Sequence, residues 1–275
     1  MKRPIFKAVG KEEGKMNRKP EYIIADPSGN ITAFVLTPTE RQQYSSVAGQ
    51  ILSETDAEQV AFVKSVEIGN GSPLRGRIEM SGMEFCGNAA RSFALLLARM
   101  AGKTGKCDAL VEVSGWDKPL EAEADIESGY TKIEMPPVLS VQKRKEDVFY
   151  VELPGISHVI LRNAPPDESV FLSIRDAVMN RYDPPAVGVL FYEEKESRMT
   201  PVVYVKDTDF FCWEGSCGSG TVALVSALSS EKEDGLYRYE IRQPAGKIGA
   251  VVLKENGAVK KVSIEGAVTF REDQK

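Results

Sequence analysis

Residues 83–97 read MEFCGNAARSFALLL, with Cys86, Gly87 and Asn88 standing directly before a run of helix-forming apolar residues. A cysteine in that place caps the N-terminus of a helix. The N–H groups of the first turn have no intrahelical partner and the helix dipole adds partial positive charge, so the position favours a thiolate and can also hold a carboxylate. The device recurs. Residues 213–228 read WEGSCGSGTVALVSAL, in which Cys217, Gly218 and Ser219 open a second small-residue helix 131 positions after Cys86.

The chain around each cysteine follows one order. YIIAD (22–26), the turn Pro27-Ser28-Gly29-Asn30 and ITAFVL (31–36) read as two strands about a reversal, followed by a helix over Thr39 to Leu52 starting at Thr37 or Thr39. A strand over 60–68, a loop at 69 to 73 and a strand at Gly76 to Met80 lead to Cys86. In the second half VFYVEL (148–153), Pro154-Gly155 and HVILRN (158–163) answer the opening pair, and a helix from Val170 to Met179 answers the first helix. AVGVLFY (186–192) and PVVYVKD (201–207) then lead to Cys217. Beyond the helices, Glu112 to Gly129 and Glu240 to Gly257 have the same spacing. This repeat is too long for a solenoid. It predicts an α+β fold of two similar domains related by a pseudo-twofold axis, residues 1–143 and 144–275, each a mixed sheet around a central helix. The charged run Lys143 to Glu146 marks the boundary, and the strand after Ile264 has the option of crossing back to the first domain.

A pseudo-twofold places equivalent elements face to face, so both cysteines are expected in one interdomain cleft, a usual place for a small-molecule site. With an amino-acid carboxylate held between the helix starts, a thiolate on one side takes the α-proton and a thiol on the other returns one. A redox pair is the other functional reading of two close thiols. Cys107 and Cys212 read as packing residues.

Bulk composition narrows the classes. Hydrophobic content is 42%, charged content 27% and net charge −5, which gives no reason to expect a nucleic-acid or membrane partner. The basic N-terminus (Lys2, Arg3, Lys7, Lys11, Lys15, Arg18, Lys19) is followed by no apolar leader core, so a cytoplasmic protein is expected. Four cysteines without a CxxC pair and one histidine, His158, argue against structural zinc. No metal and no cofactor are expected. A short strand is expected at Ile5 and Phe6.

EFCGNAAR and SCGSGT resemble the paired cysteine motifs of the diaminopimelate epimerase superfamily, racemases and epimerases that work without pyridoxal phosphate. DPSGNIT (26–32), MSGMEFCGNA (80–89), WEGSCGSGT (213–221) and IRQPAGKI (241–248) are similar to the histidine racemases of staphylopine-type metallophore biosynthesis. The resemblance implies Cys86 and Cys217 as base and acid, with Gly87, Asn88, Gly218 and Ser219 holding the α-carboxylate. It also implies substrate contacts from Asn30, from Glu214 as acceptor for the ammonium, and from His158. A plain turn residue, an exposed glutamate and a structural histidine are the respective alternatives. Gln243 and Pro244 match a motif without an assigned chemistry. Diaminopimelate epimerases carry a Glu-Arg-Gly run before the second cysteine and an asparagine shortly before the histidine. Here residues 206–216 contain no arginine and Ile156 stands at the asparagine position, which favours histidine over diaminopimelate as substrate. Diaminopimelate epimerase and a non-catalytic binding or redox protein stand as alternatives. A homodimer is implied.

Overall fold

The computed structural model describes residues 19–67 and 73–271. The strand expected at Ile5 and Phe6, and the expected loop up to residue 72, lie outside the described residues. The first half of the chain runs β1 (Tyr22–Asp26), β2 (Thr32–Val35), α1 (Tyr44–Glu54), β3 (Gln59–Glu67), β4 (Leu74–Met80), α2 (Gly87–Met100), β5 (Lys106–Val113), β6 (Leu120–Asp125) and β7 (Tyr130–Glu134). The second runs β8 (Ser140–Lys145), β9 (Val148–Leu153), β10 (Ile156–Arg162), α3 (Glu168–Tyr182), β11 (Ala186–Glu193), β12 (Arg198–Val205), β13 (Phe210–Trp213), α4 (Gly218–Ser230), β14 (Gly235–Gln243), β15 (Gly246–Glu255), β16 (Ala258–Ala267) and β17 (Thr269–Arg271). The fold is mixed α+β and dominated by sheet.

Strand pairing repeats between the halves. β2 runs parallel to β3 across α1, as β10 runs parallel to β11 across α3. β3–β4 and β11–β12 are antiparallel, and the meander β5–β6–β7 is matched by β14–β15–β16. The halves are joined by β7 against β16, with Ile133 opposite Ile264, and by β17 against β1, with Ile24 opposite Arg271. The strand after Ile264 therefore does return to the start of the chain. The charged run is not a loose connection: Lys143–Lys145 lies in β8, antiparallel to β9. β8 stands to β9 as β17 stands to β1.

α2 and α4 form the centre. Every residue from Gly87 to Ala98 is buried, and so is nearly all of α4. A helix that is apolar all round needs partners on all sides, and β4–β7 and β14–β16 supply them in one continuous core. Three of the hydroxyls in these helices bond backwards: Ser92 Oγ donates to Asn88 O, Thr221 Oγ1 to Cys217 O and Ser226 Oγ to Val222 O. α1 and α3 cover the outer faces with smaller clusters, Tyr44, Ala48 and Ile51 on Val60 and Phe62, and Phe171 and Val178 on Val187, Val189 and Val202.

Two local expectations change. The first helix starts later than Thr37 or Thr39: the N-cap of its opening turn is Glu40, while Thr39 Oγ1 donates back to Thr37 O. The start is a 3₁₀ turn at Arg41–Gln43, where Gln43 Oε1 accepts from Glu40 N–H. β13 also intervenes before Cys217, pairing with β12 as a hairpin that has no counterpart before Cys86.

Candidate active site

Cys86 and Cys217 are the N-caps of α2 and α4, and the two caps are built alike. Ala89 N–H donates to Cys86 Sγ at 3.4 Å and Gly220 N–H to Cys217 Sγ at 3.3 Å. The helix starts meet: a β-carbon on Gly218 would lie 3.8 Å from Asn88 N and 3.3 Å from Ile264 Cδ1. Gly87 is equally confined, since a β-carbon there would lie 2.6 Å from Met135 Cε. Both glycines thus sit where the helices closely approach β16 and Met135, just past β7, and a larger residue at either would push the ends of those side chains aside.

The loop before Cys217 is held from the other half of the chain. Ser216 O accepts from Asn30 Nδ2 at 3.3 Å and from Asn88 Nδ2 at 3.4 Å. Asn30 reaches it from the 27–30 turn, where Ser28, Gly29 and Asn30 all have positive φ. Gly29 is there because a side chain would strike Ala245 Cβ at 2.5 Å. That contact joins the PSGN and QPAG motifs across the two halves. Gln243 braces the second cysteine, since its Oε1 accepts from Cys217 N–H at 2.7 Å and its Nε2 donates to Thr221 Oγ1 at 2.9 Å. Ser114 does the corresponding work beside Cys86, donating to Glu84 O.

Burial opposes ionisation of both thiols. Cys86 is half-buried and Cys217 is 6% exposed. Desolvation pushes the Cys86 thiol up to about 11, against the donors Ala89 N–H and Gln59 Nε2, the latter 3.2 Å from Sγ. Cys217 is pushed up to about 12 by burial and then by the Glu214 charge, against Ser219 Oγ and Gly220 N–H. The helix N-termini do lower both values, as their position predicts, but burial outweighs them. Burial thus favours the protonated form of each thiol.

Carboxylates flank the pair. Glu214 is half-buried with its pKa raised by desolvation; its Oε1 accepts from the Cys212 thiol at 3.2 Å. Cys212 is therefore part of the site's surroundings and more than packing. Glu58 approaches from the first half, Oε2 lying 3.9 Å from a β-carbon built on Gly215, and the exposed Glu84 stands two residues before Cys86. Among the described residues no group of three His, Cys, Asp or Glu side chains is arranged to hold a metal ion.

His158 is fully buried rather than lining an opening. Its Nε2 lies 3.1 Å from Ser219 Oγ, which lies 3.5 Å from Cys217 Sγ. Desolvation lowers its pKa to about 3, so the ring is neutral. Of the residues singled out in sequence, Cys86, Asn30, Gly87, Asn88, Glu214, Gly218 and Ser219 gather with Cys217 at the helix starts. His158 joins them through Ser219. Ser216 and Arg91 lie inside the quoted motifs without a signal of their own, and Gln59 and Glu58 carry none, because contacts distant in sequence bring them in.

The mixed α+β fold superposes on a Bacillus anthracis phenazine biosynthesis protein of the PhzF family at TM-score 0.60, 14% identity, covering 91% of this chain and 96% of that one. A narrower statement follows from sequence comparison. The model of the "Histidine racemase CntK N-terminal domain" matches residues 19–272, and the chain belongs to this histidine racemase family. A histidine racemase of Fusobacterium nucleatum is 31% identical over 84% of this chain and 89% of its own length. One from Staphylococcus aureus is 26% identical over 92% and 96%.

Proposed function

We propose that this chain is a cofactor-independent histidine racemase in which Cys86 and Cys217 exchange the α-proton from opposite faces of the substrate. The observation that carries the reading is the meeting of two cysteine-capped helix starts, one from each half of the chain, within a single buried seam. The first-turn N–H groups of Gly87, Asn88, Gly218 and Ser219, which have no intrahelical partner, hold the α-carboxylate. As one thiolate removes the proton, negative charge grows on that carboxylate and the same donors stabilise it. The opposite thiol protonates Cα on its other face, and the two cysteines end with their protonation states exchanged.

The flanking carboxylates suit a cationic substrate. Glu214 accepts from the ammonium, and Glu58 and Glu84 add the negative field that an ammonium and an imidazolium require. Either cation lowers the work of forming a thiolate beside it, which offsets the burial that otherwise keeps both thiols protonated. Membership of the histidine racemase family and the lack of arginine at 206–216 favour histidine over diaminopimelate.

The same reading takes residues 1–143 and 144–275 as two similar domains about a pseudo-twofold axis, with the site in the cleft between them. The repeated strand pairings support it. A cytoplasmic homodimer working in opine metallophore biosynthesis completes the proposal, supported by the resemblance of the motifs.

Chiral chromatography after incubation with a panel of amino acids tests it. D-Histidine formed from L-histidine without added pyridoxal phosphate is expected, with diaminopimelate unchanged. Epimerised diaminopimelate and unchanged histidine would replace the substrate assignment; no inversion of any amino acid, with reduced thiols, would favour a binding or redox protein.

A further inference from the structure

Each capping cysteine has a glutamine beside it that is bonded to a threonine. Gln243 Nε2 donates to Thr221 Oγ1 at 2.9 Å, and that hydroxyl donates on to Cys217 O at 2.8 Å. Gln59 Nε2 donates to Thr32 Oγ1 at 2.7 Å, and that hydroxyl donates on to Asn30 O at 3.1 Å. Thr32 is 0% exposed and stands opposite Gln59 in the parallel β2–β3 pairing. A hydroxyl has one proton, so a threonine that gives it to a carbonyl meets the amide with a lone pair. The Gln59 atom facing Thr32 is therefore the nitrogen.

The two amides then act on different atoms. Gln243 turns Oε1 to the Cys217 N–H at 2.7 Å and so braces that cysteine through its backbone. Gln59 has a second Nε2 proton, and Cys86 Sγ lies 3.2 Å from that nitrogen. With the Ala89 N–H at 3.4 Å, the Cys86 sulfur faces two N–H groups. Neither can accept a proton, so both favour the anionic sulfur over S–H. Ser219 Oγ, 3.5 Å from Cys217 Sγ, is able to donate or accept. The bonds continue beyond Thr32: Asn30 Nδ2 donates to Ser216 O at 3.3 Å, which ties Cys86 Sγ through Gln59, Thr32 and Asn30 to the loop carrying Cys217.

We propose that Thr32 is a positioning residue for Cys86: by giving its proton to Asn30 O it fixes the Gln59 amide with nitrogen toward the sulfur, and Gln59 stabilises the Cys86 thiolate. Turned over, the amide would present Oε1 to the sulfur and favour S–H, but Thr32 would have to withdraw its proton from Asn30 O. The titratable groups acting on Cys86 from the packed elements are the exposed Glu84 before α2, Arg91 within α2, on which Asp26 and Tyr130 also act, and Cys217 across the seam. Substitutions at Thr32 and Gln59 leave all of these in place. The inference rests on the proposed function only in taking Cys86 as a thiol that ionises during turnover.

Alkylation of the full-length protein by iodoacetamide at one mildly alkaline pH, read at Cys86 by peptide mass spectrometry, tests it without substrate, because the rate follows the thiolate fraction. Thr32→Val keeps the shape and deletes the hydroxyl; it is expected to slow Cys86 about tenfold, the value of one hydrogen bond to a charged group. Thr32→Ser, which keeps the hydroxyl, is expected to react like wild type. Gln59→Met, of similar length with neither donor nor charge, is expected to slow Cys86 with Thr32 intact. Loosening of the fold would expose Cys86 and speed the reaction, so slowing has the opposite sign to a structural defect. An unchanged or faster Cys86 in either Thr32→Val or Gln59→Met, or equal slowing in Thr32→Ser, would overturn the proposal. If Thr32→Val does not fold, Gln59→Met decides alone. Absence of histidine racemisation alongside the expected rates would count against the proposed function alone.

Discussion

His158 shows how much a single residue depends on what faces it. Its Nε2 is committed to Ser219, and its Nδ1 has no partner and points at the α-carbon of Gly188, its neighbour in the β10–β11 pairing. A β-carbon at Gly188 would lie 2.1 Å from Nδ1. Gly188→Ala is therefore expected to destabilise the protein by about 1–3 kcal/mol, the usual cost of overpacking, measured by urea unfolding. The double variant with His158→Ala should recover part of the loss; an undiminished stability in Gly188→Ala alone would mean the ring has room to move. The sequence marks His158 through its motif spacing, but the fully buried position beside Cys217 comes from Ser219, 61 residues away. The cysteines are legible because a helix cap is a local pattern. Gln59, Arg91 and Glu58 are not, because nothing local distinguishes a site glutamine, arginine or glutamate from a surface one.

At the scale of elements, the helices and strands follow hydrophobic periodicity closely, and the misses have local causes. Glu40 rather than a threonine opens the first helical turn, and the β13 hairpin is concealed because the polar turn at Lys206–Thr208 reads as a simple approach to Cys217. The apolar packing of α1 on the sheet is joined by a buried charge at its start that also escapes the pattern. Glu79 of β4 is 2% exposed and accepts from Arg41 Nε at 2.9 Å, Arg41 Nη2 at 2.5 Å and Tyr44 Oη at 2.9 Å. The Arg41 guanidinium and the Tyr44 hydroxyl hold its carboxyl well down, at about 2, against the burial that opposes them. A carboxyl with a depressed pKa stabilises the fold above its unfolded value, near 4.5, and that contribution is lost as pH falls toward 2. Glu79→Gln is expected to cost about 2 kcal/mol at neutral pH, reduced from the full shift because Arg41 is largely exposed. Denaturant midpoints of the two proteins should converge between pH 4.5 and 2. A difference that stays constant through that window would assign the effect to packing.

The whole molecule is a chain whose halves complete each other. β17 returns to β1 as β8 covers β9, and β7 pairs with β16 at the junction, so the two cysteine-capped helices are fixed against a shared core. The repeat itself is visible in the order of strands and helices. The strand return is not, because three residues at Thr269–Arg271 hold too little pattern to name their partner. Cys217 is nearly inaccessible at this junction, whereas Cys86 is half-buried. Solvent deuterium incorporation at Cα of histidine tests the two-thiol account most directly. Wild-type protein should label L- and D-histidine alike, while Cys86→Ala and Cys217→Ala should each abolish inversion. Continued inversion with either cysteine removed would contradict it.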